Sequence, residues 1–124
     1  MYSDQVQEHF EHPRNVGVIE HADAIAEVSN PACGDIMRLF LRIEDDRIVE
    51  ATFQTMGCPA AIAAGSVTTE MLIGQTIEGA LRLSRDAVND ALGGLPPQKM
   101  HASVLTEDAC KAALAQYRTR QETS

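Results

Sequence analysis

The sequence predicts an α+β domain: a three-stranded antiparallel sheet with helices packed on one face and a short helix at the N-terminus. Three observations carry this. Ile36 to Ile43 and Arg47 to Thr55 alternate apolar and polar residues around the acidic turn Glu44-Asp45-Asp46, as a hairpin does. After Gly57 the period becomes helical and stays so. Strands first and helices afterwards is the order of an α+β fold.

Taken in order, Asp4 to Phe10 reads as a short helix with Val6 and Phe10 on one side. Pro13 and Gly17 punctuate the segment His12 to Gly17 and end that helix. Ala24 to Val28 reads as an edge strand, stopped by Asn30-Pro31. In the next strand Met37, Leu39, Leu41 and Ile43 share a face, opposite Arg38 and Arg42. Its partner places Val49, Ala51 and Phe53 opposite Glu50, Thr52 and Gln54. Ala60 to Ile73 reads as a helix with Ile62, Ser66, Thr69 and Ile73 along one side, closed by Gly74. Thr76 caps a short helix through Leu83, and Ser84 caps another through Leu92. Gly93 to Lys99 reads as a rigid, exposed connector, since adjacent prolines remove donors and hold the chain extended. The last helix is expected to start near Ser103 or Thr106 and to run to about Tyr117. Residues 118–124 are expected to fray.

The chain has 124 residues, of which 44% are hydrophobic. That suits one domain over residues 1–124. No apolar run reaches the roughly 18 residues of a membrane span, and Met1-Tyr2-Ser3-Asp4-Gln5 has no secretory character. A cytoplasmic location is the expectation. The net charge of −8 opposes binding to nucleic acid and anionic membrane, and favours basic partners and solubility. Aromatic residues are 4% of the chain and tryptophan is absent, so platforms for stacking bases or sugars are scarce.

Three cysteines, an odd number, argue against a disulfide framework. Cys58 precedes Pro59, a residue suited to the first position of a helix, which places Cys58 at the cap. Free backbone N–H groups and the helix dipole favour a negatively charged sulfur there, as metal ligation and sulfur transfer both require. Cys33 and Asp35 put two anionic donors in one loop beside Gly34. His101 lies before the last helix and offers an imidazole. Together Cys33, Asp35, Cys58 and His101 would close a four-ligand site for zinc or hold an iron–sulfur cluster. Cys110 shares a packing stripe with Thr106, Ala113, Leu114 and Tyr117, and reads as a core residue. His9, His12 and His21 read as surface residues.

Several ordered segments carry a resemblance. They are His12-Pro13-Arg14-Asn15-Val16-Gly17, Asn30-Pro31-Ala32-Cys33-Gly34-Asp35, Phe53 through Gly57-Cys58-Pro59-Ala60 to Ala63, Leu95-Pro96-Pro97-Gln98-Lys99-Met100-His101, and Glu107-Asp108-Ala109. Nearly the whole chain resembles the scaffold proteins of iron–sulfur cluster assembly, the IscU/NifU N-terminal-domain family. The resemblance implies a non-enzymatic scaffold that takes sulfur from a cysteine desulfurase and iron from an iron donor. It would build a cluster, most simply [2Fe–2S], and pass it to recipient apo-proteins. Cys33, Cys58 and His101 match cluster ligands. Asp35 matches a carboxylate whose loss makes the cluster harder to release. Leu95, Pro96, Pro97, Gln98 and Lys99 match a segment recognised by an Hsp70-type chaperone.

One position departs from the family. Ala102 stands where its members carry a third cysteine after the histidine. Either Cys33, Asp35, Cys58 and His101 suffice, or a partner supplies a thiolate, or a second copy does, which would make an oligomer. The rival reading is a zinc-bound sulfur acceptor that activates a desulfurase. The zinc-dependent branch of the family, however, carries an insertion before the last helix and lacks Leu-Pro-Pro-x-Lys. A nucleophilic enzyme built on Cys58 and His101 is the weakest reading, since no oxyanion motif accompanies the pair.

Overall fold

Asp45 and Asp46 adopt φ of 52° and 60°, and Glu44 faces Arg47 across the reversal. Two left-handed residues between paired strands match the twist of a tight hairpin, and aspartate tolerates that conformation well. In the computed structural model, which describes residues 2–30 and 34–123, this turn joins β2 (Asp35–Glu44) to β3 (Arg47–Met56). β1 (Ala24–Asn30) pairs antiparallel with the other side of β2, giving the sheet order β1-β2-β3. The helices are α1 (Asp4–Glu11), α2 (Pro59–Leu72), α3 (Ile77–Leu81), α4 (Arg85–Ala91) and α5 (His101–Thr123). The expected α+β architecture is present, short N-terminal helix included.

Met37, Leu39, Leu41 and Ile43 point inward from β2 and pack with Leu105, Ala109, Ala113 and Leu114 of α5. Each such apolar side chain contributes about 1.5–3 kcal/mol when fully buried. On β3 the expectation is corrected at one residue. Val49 is 40% exposed, whereas Ile48 is fully buried. Arg42 faces Glu50 but Ile43 faces Ile48, so β3 holds one extra residue there. That bulge flips the alternation, turning Ile48 into the core and Val49 out.

α2 is also corrected. Its expected apolar side named Ile62 and Ile73, yet Ile73 is 40% exposed and Ile62 only half-buried. The helix is instead buried on most of its circumference through Ala60, Ala61, Ala63, Ala64, Ser66, Thr68, Thr69 and Leu72. It lies between β3 and α1, with α4 and α5 also in contact. A helix enclosed in this way needs small residues more than a stripe. Gly65 is the extreme case, since a Cβ there would stand 2.5 Å from the Phe53 ring.

α5 exceeds the expected bounds at both ends. The connector is neither wholly exposed nor wholly extended, because Leu95 is buried and Pro97–Lys99 forms one 3-10 turn. That turn feeds straight into α5, with Ser103 N–H donating to Met100 O at 3.1 Å, so His101 is already helical. Thr106 Oγ1 donates to Ser103 O within the helix rather than capping it. At the far end the frayed tail is not observed through Thr123. Arg120 donates to Asp23 O at 2.9 Å, and Gln116 Oε1 accepts from Ile25 N–H of β1 at 2.8 Å.

The His12–Gly17 segment runs beside β3. Gly17 N–H donates to Phe53 O and Phe53 N–H donates to Asn15 O. Asn15 itself takes φ 60° and donates from Nδ2 to Thr69 Oγ1.

Candidate metal centre

The site forms where three elements begin. Asp35 is the first residue of β2, Cys58 is the N-cap of α2 and His101 is the first residue of α5. Pro59 occupies the first turn of α2, where its missing N–H costs nothing and its ring favours helical φ. Cys58 keeps extended geometry, φ −74° and ψ 168°, and its side chain makes no capping hydrogen bond. The sulfur is therefore left to face its neighbours.

His101 Nε2 donates to Asp35 Oδ2 at 3.0 Å, and Cys58 Sγ lies 3.7 Å from the same oxygen. One donor atom from each residue lies within 4.8 Å of the others. The Asp35 side chain is 8% exposed and that of His101 21% exposed, while Cys58 is half-buried. A thiolate, an imidazole and a carboxylate gathered at a half-open surface suit zinc or a soft iron centre. Among the described residues these three supply the donors.

Of the residues expected at the site, Asp35, Cys58 and His101 are thus brought together. Cys33 lies outside the described residues. Gly34, beside it, donates its N–H to Asn30 O at 2.8 Å, and Asn30 is paired with Asp35. Ala102 is fully buried and packs in the cluster of Val6, Ala60, Ala61 and Leu95, so it adds no donor. Cys110 is a core residue, 1% exposed, and burial pushes its thiol up to about 12. Leading into His101, Leu95 is buried, Pro96 and Lys99 are half-buried and Pro97 is exposed.

Two features escaped the sequence. Gly57, read as the point where the helical period begins and as part of the Phe53 to Ala63 resemblance, lies against the Asp35 side chain: a Cβ on it would stand 2.8 Å from Asp35 Cγ. Its position immediately before Cys58 was the available signal. His9, expected at the surface, instead turns from α1 towards α2 with 12% of its side chain exposed. Ser66 Oγ accepts from Arg14 N–H at 2.9 Å and lies 2.7 Å from His9 Nδ1, with Glu70 Oε1 3.5 Å from His9 Nε2. Burial depresses the His9 imidazole below its ordinary range, against the pull of Glu70. No sequence period marks this contact, because Ser66 sits among buried alanines.

α5 is fastened a short way past His101. Glu107 accepts from Arg85 N–H at 2.5 Å, from Arg85 Nη2 at 3.1 Å and from Lys111 Nζ at 3.2 Å. The Arg85 side-chain and backbone hydrogen bonds hold its carboxyl at about 2. Among the described residues no helix is long and apolar enough to cross a membrane.

Known proteins with this pattern agree in fold and sequence. The iron-sulfur cluster assembly scaffold protein IscU 1 of Archaeoglobus fulgidus is 56% identical over 117 residues, covering 94% of this chain and 76% of that protein. The iron-sulfur cluster assembly scaffold protein IscU of Haemophilus influenzae is 43% identical, covering 97% of this chain and 98% of that one. A crystal structure of the N-terminal part of a nitrogen-fixing NifU-like protein from Brucella abortus superposes with a TM-score of 0.80 at 20% identity, covering 94% of each chain. The NifU-like N terminal domain matches residues 1–124, and the chain belongs to that family.

Proposed function

We propose that this protein is a scaffold on which a labile iron–sulfur cluster is assembled and from which it is passed on. The observation that carries the reading is the convergence of Asp35, Cys58 and His101 donor atoms within 4.8 Å of one another. The relatives named as cluster assembly scaffolds support it. The cluster is cargo. Cys58 and His101 hold it with Cys33, and [2Fe–2S] is the type that the family resemblance implies. Asp35 is the hard oxygen that keeps a soft site from closing tightly, so the cargo can leave. Sulfur arrives from a cysteine desulfurase and iron from a separate donor. Ala102 leaves the chain one thiolate short of its family's pattern, so a partner protein or a second copy completes the cluster. Leu95, Pro96, Pro97, Gln98 and Lys99 form the segment offered to an Hsp70-type chaperone. A pull on it acts directly on His101, since the 3-10 turn runs unbroken into α5.

Anaerobic reconstitution with iron, sulfide and a desulfurase tests this. The parent should develop a visible sulfur-to-iron charge-transfer spectrum, and Cys58→Ala should not. Equal spectra from the two would sink the assignment.

A second reading follows from the mixed donor set itself, since sulfur, nitrogen and oxygen together are ordinary zinc chemistry. In it zinc occupies the same residues and one thiolate leaves the metal to accept sulfur. Stoichiometric zinc in protein purified without chelator, strong activation of a desulfurase and no cluster formation would favour it.

A further inference from the structure

We infer that Gly57 seats the Asp35 carboxylate and through it sets how tightly the site holds its cargo. A methyl group at position 57 would stand 2.8 Å from Asp35 Cγ, 2.9 Å from Asp35 Oδ1 and 3.1 Å from Ala61 Cβ. Ala61 cannot retreat, because it is fully buried in the first turn of α2. The carboxylate ends a short side chain with two torsions, so it is the group that gives way. Its other oxygen, Oδ2, is the atom 3.0 Å from His101 Nε2 and 3.7 Å from Cys58 Sγ. Oδ1 therefore packs on the bare backbone of residue 57 while Oδ2 faces the two donors. Gly57 is not among the positive-φ glycines. What the position demands is room beside the carboxylate, not a left-handed backbone.

The inference rests on the reading that Cys58 and His101 hold the cargo with Cys33 and that the hard oxygen of Asp35 loosens it. Gly57→Ala displaces Oδ2 without deleting any core atom. Release of the assembled cluster to a chelator should then slow by about tenfold, in the same direction as Asp35→Ala, as expected for a residue that orients a ligand. With the carboxylate already gone the methyl has nothing to move. The double variant should thus be no slower than Asp35→Ala alone.

Two measurements test this on the full chain. The first uses metal-free protein and reads the ring nitrogens of His101 by 1H–15N correlation spectra. Asp35→Ala should shift the Nε2 signal, and Gly57→Ala should shift it the same way. A His101 signal in Gly57→Ala that coincides with the parent overturns the inference, whatever the site binds. The second compares chelator-driven release across parent, both single variants and the double variant. Additive slowing overturns the inference. Should Gly57→Ala lower the urea midpoint, Asp35→Ala in the same chain should restore it, and failure to do so also counts against the seat. A parent that assembles no cluster would defeat the proposed function instead, leaving the ring measurement to decide Gly57.

Discussion

Asp35 Oδ2 accepts a hydrogen bond from His101 Nε2 across 66 positions of sequence, at 3.0 Å. That contact ties the start of β2 to the start of α5, and Cys58 reaches the same oxygen from the start of α2. Loss of any one donor should be felt by the other two.

Cobalt(II) reports this directly. Titration of the metal-free parent should give sulfur-to-cobalt charge transfer in the near ultraviolet. Cys58→Ala should lower that band by about half, with Cys33 supplying the remainder. His101→Ala should retain it while weakening binding by at least about 100-fold, beyond what loss of an orienting partner costs. An unchanged affinity in His101→Ala would remove His101 from the site.

Glu107 should make stability depend on acid. Its folded value of about 2 lies below the ordinary 4.5, so its contribution is present above pH 4.5 and is lost as pH falls from there towards 2. Urea unfolding at stepped pH should show that loss in the parent and not in Glu107→Gln. At pH 7 Glu107→Ala should cost about 2 kcal/mol, since it also strands the Arg85 N–H.

His9 acts in a higher range. Its depressed folded value means that the unfolded chain takes up the proton first, so stability falls as pH drops below the ordinary 6.5. His9→Asn keeps a polar atom near Ser66 and removes the titration. The parent should lose urea resistance between pH 7 and 5.5 by more than His9→Asn does. Parallel profiles would show that the ring titrates alike in the folded and unfolded chain.

The thiols should separate by reactivity. Native protein treated with iodoacetamide at pH 8 should be alkylated at Cys58 and spared at Cys110, whose thiol stands at about 12. Urea should expose Cys110 to the reagent. Mass spectrometry of the digested chain distinguishes the two.

Gly65→Ala would drive a methyl into the Phe53 ring. The approach of 2.5 Å leaves no space, so overpacking should cost about 1–3 kcal/mol despite alanine's better helix propensity. A urea midpoint at or above the parent's would show that the ring moves freely.

The hairpin, the order of strands and helices and the core faces of β2 were legible because one buried face imposes a strict period. Val49 was misread because a bulge leaves no mark in alternation. α2 was misread because a helix buried on most sides has no dominant stripe, and Ala60 to Ala64 looks the same from every direction. The start of α5 was placed too late, since Ser103 and Thr106 both resemble caps while the 3-10 turn at Pro97–Lys99 had already started the coil. Cys58 and His101 could be singled out by residue type and by their place at element ends. That they meet over Asp35 is a product of tertiary packing, and so is the seat at Gly57. His9 was missed for the same reason, as its partners lie 57 and 61 residues away on α2.

The backbone hydrogen bonds along the rims of the sheet limit how other proteins can approach. β3 is engaged by Asn15 and Gly17 at Phe53 and by Gly74 and Gln75 at Ile48, while Gln116 takes the Ile25 amide of β1. At these positions a visitor's extended peptide finds no open rung to lengthen the ladder. The three gathered donors lie away from those closed rungs, at the starts of β2, α2 and α5.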